Sequence, residues 1–337
     1  MTRVPAATTR HQPWLVGDIG GTNARFALVD EPGASPRNVR NMVCADFPDL
    51  AGAAEAYLST TSASPVAACI AVAGPVGGDR FRLTNGGWDF SLEATQYQLG
   101  LAHLELINDF AALALSLPHL GTPELRAIGT VARVPGLPLA VLGPGTGLGV
   151  AGLLPAGDRW LPVCGEGGHV DLPVVEEREI EVFRILKAEQ QAVTAECLLS
   201  GGGLTRLHRC LSRLEGLEYD ALSPSRITEL GRSGEDELCV ETLDLFCALL
   251  GGVAGNVALT LGARGGVYLG GGILPRIPEV LERSAFRERF EAKLRMADYV
   301  KAISTHLITA STPALTGAAA HLHQQQPETA AASSVLA

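Results

Sequence analysis

Leu15-Val16-Gly17-Asp18-Ile19-Gly20-Gly21-Thr22-Asn23-Ala24-Arg25-Phe26-Ala27-Leu28-Val29 sets glycines, one acid and one hydroxyl between two apolar runs. The pattern reads as strand, tight turn, strand. Gly20 and Gly21 admit φ > 0 and carry no Cβ, so backbone N–H groups can close on an anion there. Asp18 adds a carboxylate beside that anion, a place to hold Mg²⁺ through water. Thr22 and Asn23 offer side-chain hydrogen bonds to phosphate oxygens. An ordinary hairpin would carry the same glycine turn, so this stretch alone leaves both uses open.

A second copy favours the phosphate. Ala140-Val141-Leu142-Gly143-Pro144-Gly145-Thr146-Gly147-Leu148-Gly149-Val150-Ala151-Gly152-Leu153-Leu154 repeats the plan, and with Leu15 set over Ala140, Gly20 falls on Gly145 and Leu28 on Leu153. Two such turns predict two similar lobes with a nucleotide phosphate chain clamped between them. Neither is a Walker loop, because no Gly-Lys-Ser/Thr follows. Neither is a dinucleotide fingerprint, since the required third glycine falls on Leu148.

The chain has 337 residues, enough for about two domains. Hydrophobic content of 47% beside 18% charged residues is a globular profile. A net charge of −10 argues against nucleic acid as the main partner. Seven scattered cysteines form no Cys-x-x-Cys pair, so reduced thiols in a cytoplasmic protein and no zinc site are expected. The first thirteen residues carry Arg3, Arg10 and His11 without an apolar core, so no secretory signal is expected. The glycine-rich residues 251–261, interrupted by Asn256, are too short to cross a bilayer, and no membrane partner is expected.

Along the chain, residues 66–73 are a continuous apolar run, as a buried strand requires. Residues 46–59 have helical spacing, and Ser91 reads as the N-cap of a helix to about Leu99. A strand over 103–107 leads through Asn108-Asp109 to an apolar helix over 110–117, and the Gly/Pro-rich segment 121–138 suits a crossing between domains. Residues 176–190 form a charged helix with Ile180, Phe183 and Leu186 facing inward. Residues 195–213 are helical around a Ser200-Gly201-Gly202-Gly203 interruption, and 236–262 is a long Ala/Leu/Val helix. A strand over 266–269 runs into Gly270-Gly271-Gly272, helical patterns follow near 279–297, and a last helix covers 313–321. From Gln324 the composition suits a disordered tail. Strands interleaved with helices indicate α/β lobes.

Asn108-Asp109 is the sharpest chemical point, an acid where a strand meets a helix, at the carboxyl end of the strands where ligands bind. Such an acid is also a common helix cap. Glu166-Gly167-Gly168-His169 presents an acceptor and an imidazole on a flexible turn; metal binding by His169 and Asp171 is a weaker alternative. Glu196 lies between Ala195 and Cys197-Leu198-Leu199, an apolar setting in which a carboxylate needs a partner. Acceptors with no basic residue among them suit a ligand rich in hydroxyls, a sugar.

In this order, residues 17–23, Ile107-Asn108-Asp109-Phe110, residues 143–149, Glu166-Gly167-Gly168-His169, Glu196 with Leu199-Ser200-Gly201, and residues 266–272 resemble the bacterial ATP-dependent glucokinases from about residue 14 to 322. The resemblance implies an α/β, two-lobed actin/hexokinase (ribonuclease H-like) fold with an interlobe cleft. The small lobe would span 14–120 plus 310–322 and the large lobe 121–309, with flexible tails over 1–13 and 323–337. It implies transfer from ATP, with Mg²⁺ near Asp18, to the 6-hydroxyl of glucose, Asp109 being the base. Asn108, Asp109, Glu166, His169 and Glu196 would hold the sugar. Gly17, Asp18, Ile19, Gly20, Gly21, Thr22 and Asn23 would cradle phosphates with Gly145, Thr146 and Gly147, while Gly270 and Gly271 border the adenosine. A cytoplasmic homodimer is the usual state among relatives. Repressor/kinase relatives usually carry a Cys-rich zinc motif soon after Glu-x-Gly-His, absent here. Two departures stand out: Gly202 where Pro is expected, and Leu294 where Gly is usual. A sugar-sensing regulator without catalysis is the main rival, disfavoured because Asp109 and both glycine turns are intact and no basic patch precedes Trp14; a kinase of the same fold for another hexose, or with polyphosphate as donor, is the second alternative.

Overall fold

In the computed structural model, residues 12–31, 33–83, 87–218 and 221–325 are described; of the flexible tails expected over 1–13 and 323–337, residues 1–11 and 326–337 lie outside them, and 323–325 are helical instead. The chain divides into two compact units, one of residues up to His119 and from Thr312 onward, the other of Leu120–Ser311.

In the first unit the opening stretch forms β1 (Trp14–Ile19) and β2 (Asn23–Val29), an antiparallel hairpin. β3 (Arg37–Val43) follows, then α1 (Leu50–Ser59) and β4 (Ala67–Val72). α1 begins at Leu50 rather than Asp46, because Asp49 caps it by accepting the Gly52 N–H. β5 (Arg80–Arg82) and β6 (Asp89–Ser91) make a small ribbon, and Ser91 caps α2 (Leu92–Gln98). β7 (His103–Asn108) runs directly into α3 (Asp109–Ser116). The sheet order is β3-β2-β1-β4-β7, with β1, β4 and β7 parallel. β4, central and almost wholly buried, is a continuous apolar run for that reason, and β1 beside it is apolar but for Asp18.

In the second unit β8 (Leu125–Ala127) precedes the second hairpin, β9 (Leu139–Pro144) and β10 (Leu148–Ala156), and then β11 (Arg159–Gly165). Helices α4 (Glu177–Glu189), α5 (Ala195–Leu198), α6 (Gly201–Leu214), α7 (Pro224–Ser233) and α8 (Glu237–Leu261) come next. β12 (Gly266–Leu269), α9 (Pro278–Arg283), α10 (Phe286–Glu291), α11 (Ala297–Lys301) and β13 (Thr305–Ile308) complete it. Its sheet order is β11-β10-β9-β12-β13-β8. Set beside the first sheet, β11-β10-β9-β12-β13 repeats β3-β2-β1-β4-β7 in order and in strand sense. Even the bounds recur 125 residues later: Trp14 and Leu139, Ile19 and Pro144, Asn23 and Leu148.

α8 is long and apolar enough to cross a membrane by length and composition, but two thirds of its apolar window is buried within the second unit. It is the core helix there, packed on α6, α7 and α10. α4 departs from its expected facing. Val182, Leu186 and the acid Glu179 turn inward, while Ile180 and Phe183 are only half-buried. Glu179 goes in because its carboxylate accepts the N–H groups of Val175 and Glu176 and pairs with the buried Arg289 at 3.0 Å. Helix capping and ion pairing outweigh the apolar stripe.

The chain then returns to the first unit as α12 (Pro313–Gln325), four residues longer than the sequence suggests. It packs on α3, β4 and β1. Gly317 permits this approach: a Cβ there would lie 1.7 Å from the Ala112 carbonyl oxygen.

Candidate active site

Three loops of the first unit stand in a row, because Ile19, Val72 and Asn108 are in register at the carboxyl ends of adjacent parallel strands. There the strands end and backbone groups become available to a ligand. The first loop is the glycine turn. Its Gly20 N–H donates to the Asn23 carbonyl at 2.9 Å, and the Cys44 N–H donates to the Thr22 carbonyl at 2.9 Å. Gly20 and Gly21 do not have the positive φ expected of them. The value of Gly20 is open space: a Cβ there would have only the Asn23 carbonyl oxygen within 4 Å, at 3.9 Å. Gly17 and Ile19 sit inside the sheet, and Gly17 makes room for Ile70, whose side chain would be 2.7 Å from a Cβ.

Asp18, Gly20, Gly21, Thr22, Asn23, Arg25 and Asn41 line a cavity of about 300 Å³. Burial pushes the Asp18 carboxyl above its ordinary value, and the Arg25 guanidinium opposes that shift. Arg25 donates to Asp18 Oδ2 at 3.3 Å, and Asn41 donates to Asn23 Oδ1 at 3.0 Å. Neither Arg25 nor Asn41 was singled out in the sequence. The signal for Arg25 was present: a turn at 20–22 sets residue 25 directly across from residue 18.

At the end of β7, Asn108 rather than Asp109 caps α3. Asn108 Oδ1 accepts the N–H groups of Phe110 at 2.9 Å and Ala111 at 3.2 Å, and its Nδ2 donates to the Gly74 carbonyl at 3.2 Å. Asp109 is the first helical residue, half-buried, with Oδ1 accepting the Phe110 N–H at 3.0 Å. The helix therefore does not need Asp109 as its cap.

In the second unit Gly145, Thr146 and Gly147 make the turn between β9 and β10, closed by the Gly145 N–H on the Gly147 carbonyl at 2.8 Å. The turn is held from two sides. Gly270 donates to Leu142 at 2.8 Å, and Gly271 sits at φ +80 with no room for a Cβ, which would be 2.3 Å from the Pro144 carbonyl oxygen. Opposite, Gly201 donates to the Gly145 carbonyl at 2.8 Å. Glu196 finds its partner here: Oε2 accepts the Leu148 N–H at 2.8 Å, the first amide after the turn. A Cβ on Gly147 would lie 2.4 Å from that oxygen.

Glu166 and His169 are exposed on a one-turn 3-10 helix closed by the His169 N–H on the Glu166 carbonyl. Gly168 lets this turn press onto β10, since a Cβ would be 2.1 Å from the Leu148 carbonyl oxygen. Residue 148 thus links the glycine turn, Glu196 and the Glu166–His169 segment. The second unit brings those groups together with Gly270 and Gly271; the first brings together residues 18–23 and Asn108-Asp109.

Comparison with known proteins identifies the family. The sequence profile of the glucokinase family, described as "Glucokinase", matches residues 15–325. The chain is 50% identical over 311 residues to a glucokinase from Chromobacterium violaceum, covering 92% of this chain and 89% of that one. It is 46% identical over 321 residues to one from Aromatoleum aromaticum, covering 95% and 97%. Among solved structures, the glucokinase from an Antarctic psychrotroph superposes with a TM-score of 0.86 at 38% identity, over 93% of this chain and 99% of that one. The fold is the actin/hexokinase-like one. By profile, by identity over nearly the whole length and by fold, the chain belongs to the glucokinase family.

Proposed function

We propose that the protein transfers the γ-phosphoryl group of ATP to the 6-hydroxyl of glucose, with Asp109 as general base. The observation that carries this reading is the division of labour at the head of α3. Asn108 satisfies the helix and anchors the Gly74 loop, while Asp109 follows it as a carboxylate that capping does not require. In phosphoryl transfer the protein positions the reactants and offsets charge. Asp109 orients the 6-hydroxyl and takes its proton as the new P–O bond forms, so that glucose 6-phosphate and ADP leave and the proton returns to solvent.

The turn amides of residues 21–22 and 146–147 offset phosphate charge, those of Gly20 and Gly145 being used to close the turns, and Arg25 adds a cation at the first of them. The donors around Asp18 are hard oxygens, its own carboxylate with the Thr22 hydroxyl and Asn23 amide, in a cavity roomy enough for coordinated water. They suit Mg²⁺ held through water, Arg25 already occupying one side of the carboxylate. Bound there, Mg²⁺ would neutralise charge on the transferring group. Glu166, His169 and Oε1 of Glu196 accept or share sugar hydroxyls, Oε2 of Glu196 being held by Leu148.

A coupled assay of ADP release tests this. Turnover should require glucose and ATP together, and in a sugar panel analogues lacking a bonded hydroxyl should lose ~10⁴-fold or more in kcat/KM. Equal turnover with and without glucose would refute it. None of the seven cysteines is in a disulfide, which suits a cytoplasmic enzyme. A homodimer fits the exposed Leu161 and Val163 on edge strand β11; a monomer mass in sedimentation would refute that part.

A further inference from the structure

Away from these loops, three chemically different ligand groups converge where α6 packs on the start of α8. The His208 imidazole, the Asp236 carboxylate and the Cys239 thiol lie with one donor atom each within 4.8 Å of one another. His208 is 4% exposed and Cys239 fully buried, while Asp236 is half-buried and gives the cluster an opening to solvent. We propose that His208, Asp236 and Cys239 form a structural binding site for a zinc-class divalent ion, with water as the fourth ligand.

The donor set selects the ion. One nitrogen, one sulfur and one oxygen suit Zn²⁺, whereas Mg²⁺ and Ca²⁺ demand oxygen alone. Zinc bond lengths place tetrahedral ligand atoms about 3.4–3.7 Å apart. The side chains must therefore draw in by about 1 Å, a movement that rotation about their own bonds supplies. Coordination replaces the Cys239 thiol proton, which leaves to solvent. The backbone beneath is already fixed. Asp236 caps α8 by accepting the Cys239 N–H at 2.7 Å, and α7 presses so closely that a Cβ on Gly231 would be 2.6 Å from the Cys239 carbonyl oxygen. The ion would pin α6 to the head of α8. The pattern is Asp-x-x-Cys at a helix start with a histidine from another helix, not the paired cysteines whose absence argues against a zinc site in the sequence.

His208 lies seven residues along α6 from Gly201, which holds the Gly145 turn, about 10 Å of helix. The ion should thus stabilise the fold and leave KM for glucose unchanged. Chelator-stripped protein is titrated with Co²⁺ and then Zn²⁺. Expected are one Co²⁺ per chain, a thiolate-to-cobalt charge-transfer band in the near ultraviolet, its loss on adding Zn²⁺, and a thermal midpoint raised by at least ~2 °C by Zn²⁺. Cys239→Ser should abolish the band, and Cys164→Ser, at an exposed thiol, should keep it. Asp236→Asn retains a good helix cap, so it should fold and bind Co²⁺ at least ~10-fold more weakly. No saturable band, a band that survives Cys239→Ser, or unchanged affinity in Asp236→Asn would each overturn the site.

Discussion

Leu294 has a φ of 47° and is 94% exposed. The left-handed region costs a residue with a Cβ about 1–2 kcal/mol, and glycine little. That is why glycine suits this position, and why Leu294, with no packing to lose, is a local fault. Leu294→Gly should raise stability by about 0.5–1 kcal/mol after the extra freedom of the unfolded chain is allowed for. A lower urea midpoint would contradict it. Gly202 is the complementary case. It stands in the first turn of α6, and a Cβ there meets nothing within 4 Å, so Gly202→Pro should stabilise by about 0.4–1 kcal/mol. At Asp109 the expected change is chemical. Asp109→Asn keeps the shape and Asn108 keeps the cap, so circular dichroism and glucose affinity should hold while kcat falls at least ~10²-fold. Near-native turnover would remove Asp109 from the mechanism.

At the scale of elements, α3 carries Asp109 and α12 sets where α3 can lie. Because a Cβ on Gly317 would overlap the Ala112 carbonyl, Gly317→Ala must separate the two helices. It should cost about 1–3 kcal/mol and lower kcat by displacing the head of α3; a variant with native midpoint and native kcat would show that the contact is soft. Such contacts are hard to read from sequence, since neither glycine nor alanine announces which carbonyl it meets. α4 teaches the same lesson with charge. Its stripe of Ile180, Phe183 and Leu186 is periodic, yet Glu179 takes the inward position because a partner from α10, Arg289, is waiting there. Glu196 differs: its apolar neighbours reveal the need for a partner, but not that a backbone amide of the glycine turn is that partner. Residue types and their order were legible, and the long-range partners were not.

At the scale of the molecule, the repeated hairpin was the most legible feature, since glycine turns and buried strands are both local patterns and the second copy fixes their register. Titration behaviour was illegible, because it depends on burial by distant strands. His306 on β13 is stacked on Tyr268 of β12 at 5.4 Å, with Arg133 over the far ring. Burial, then the charge of Arg133, lowers its pKa to about 4. Folded His306 thus stays neutral while the unfolded chain takes up a proton below its ordinary value of about 6.5. The unfolded state binds the extra proton, so stability falls as pH falls from about 6.5 towards 4. At pH 4.5 the loss amounts to about 2–3 kcal/mol from this one group. His119, lowered by burial and by His323, acts with the same sign. Asp18 acts oppositely, because burial raises its carboxyl and the cost of its charge is relieved in acid. Urea unfolding at pH 7 and pH 4.5 isolates the His306 share. His306→Phe keeps a ring against Tyr268 and removes the proton site, so its acid loss should be smaller than that of the parent by about 2–3 kcal/mol. Equal losses in the two proteins would mean that His306 is protonated in the folded state at pH 4.5, and that its burial does not set the acid limit of the fold.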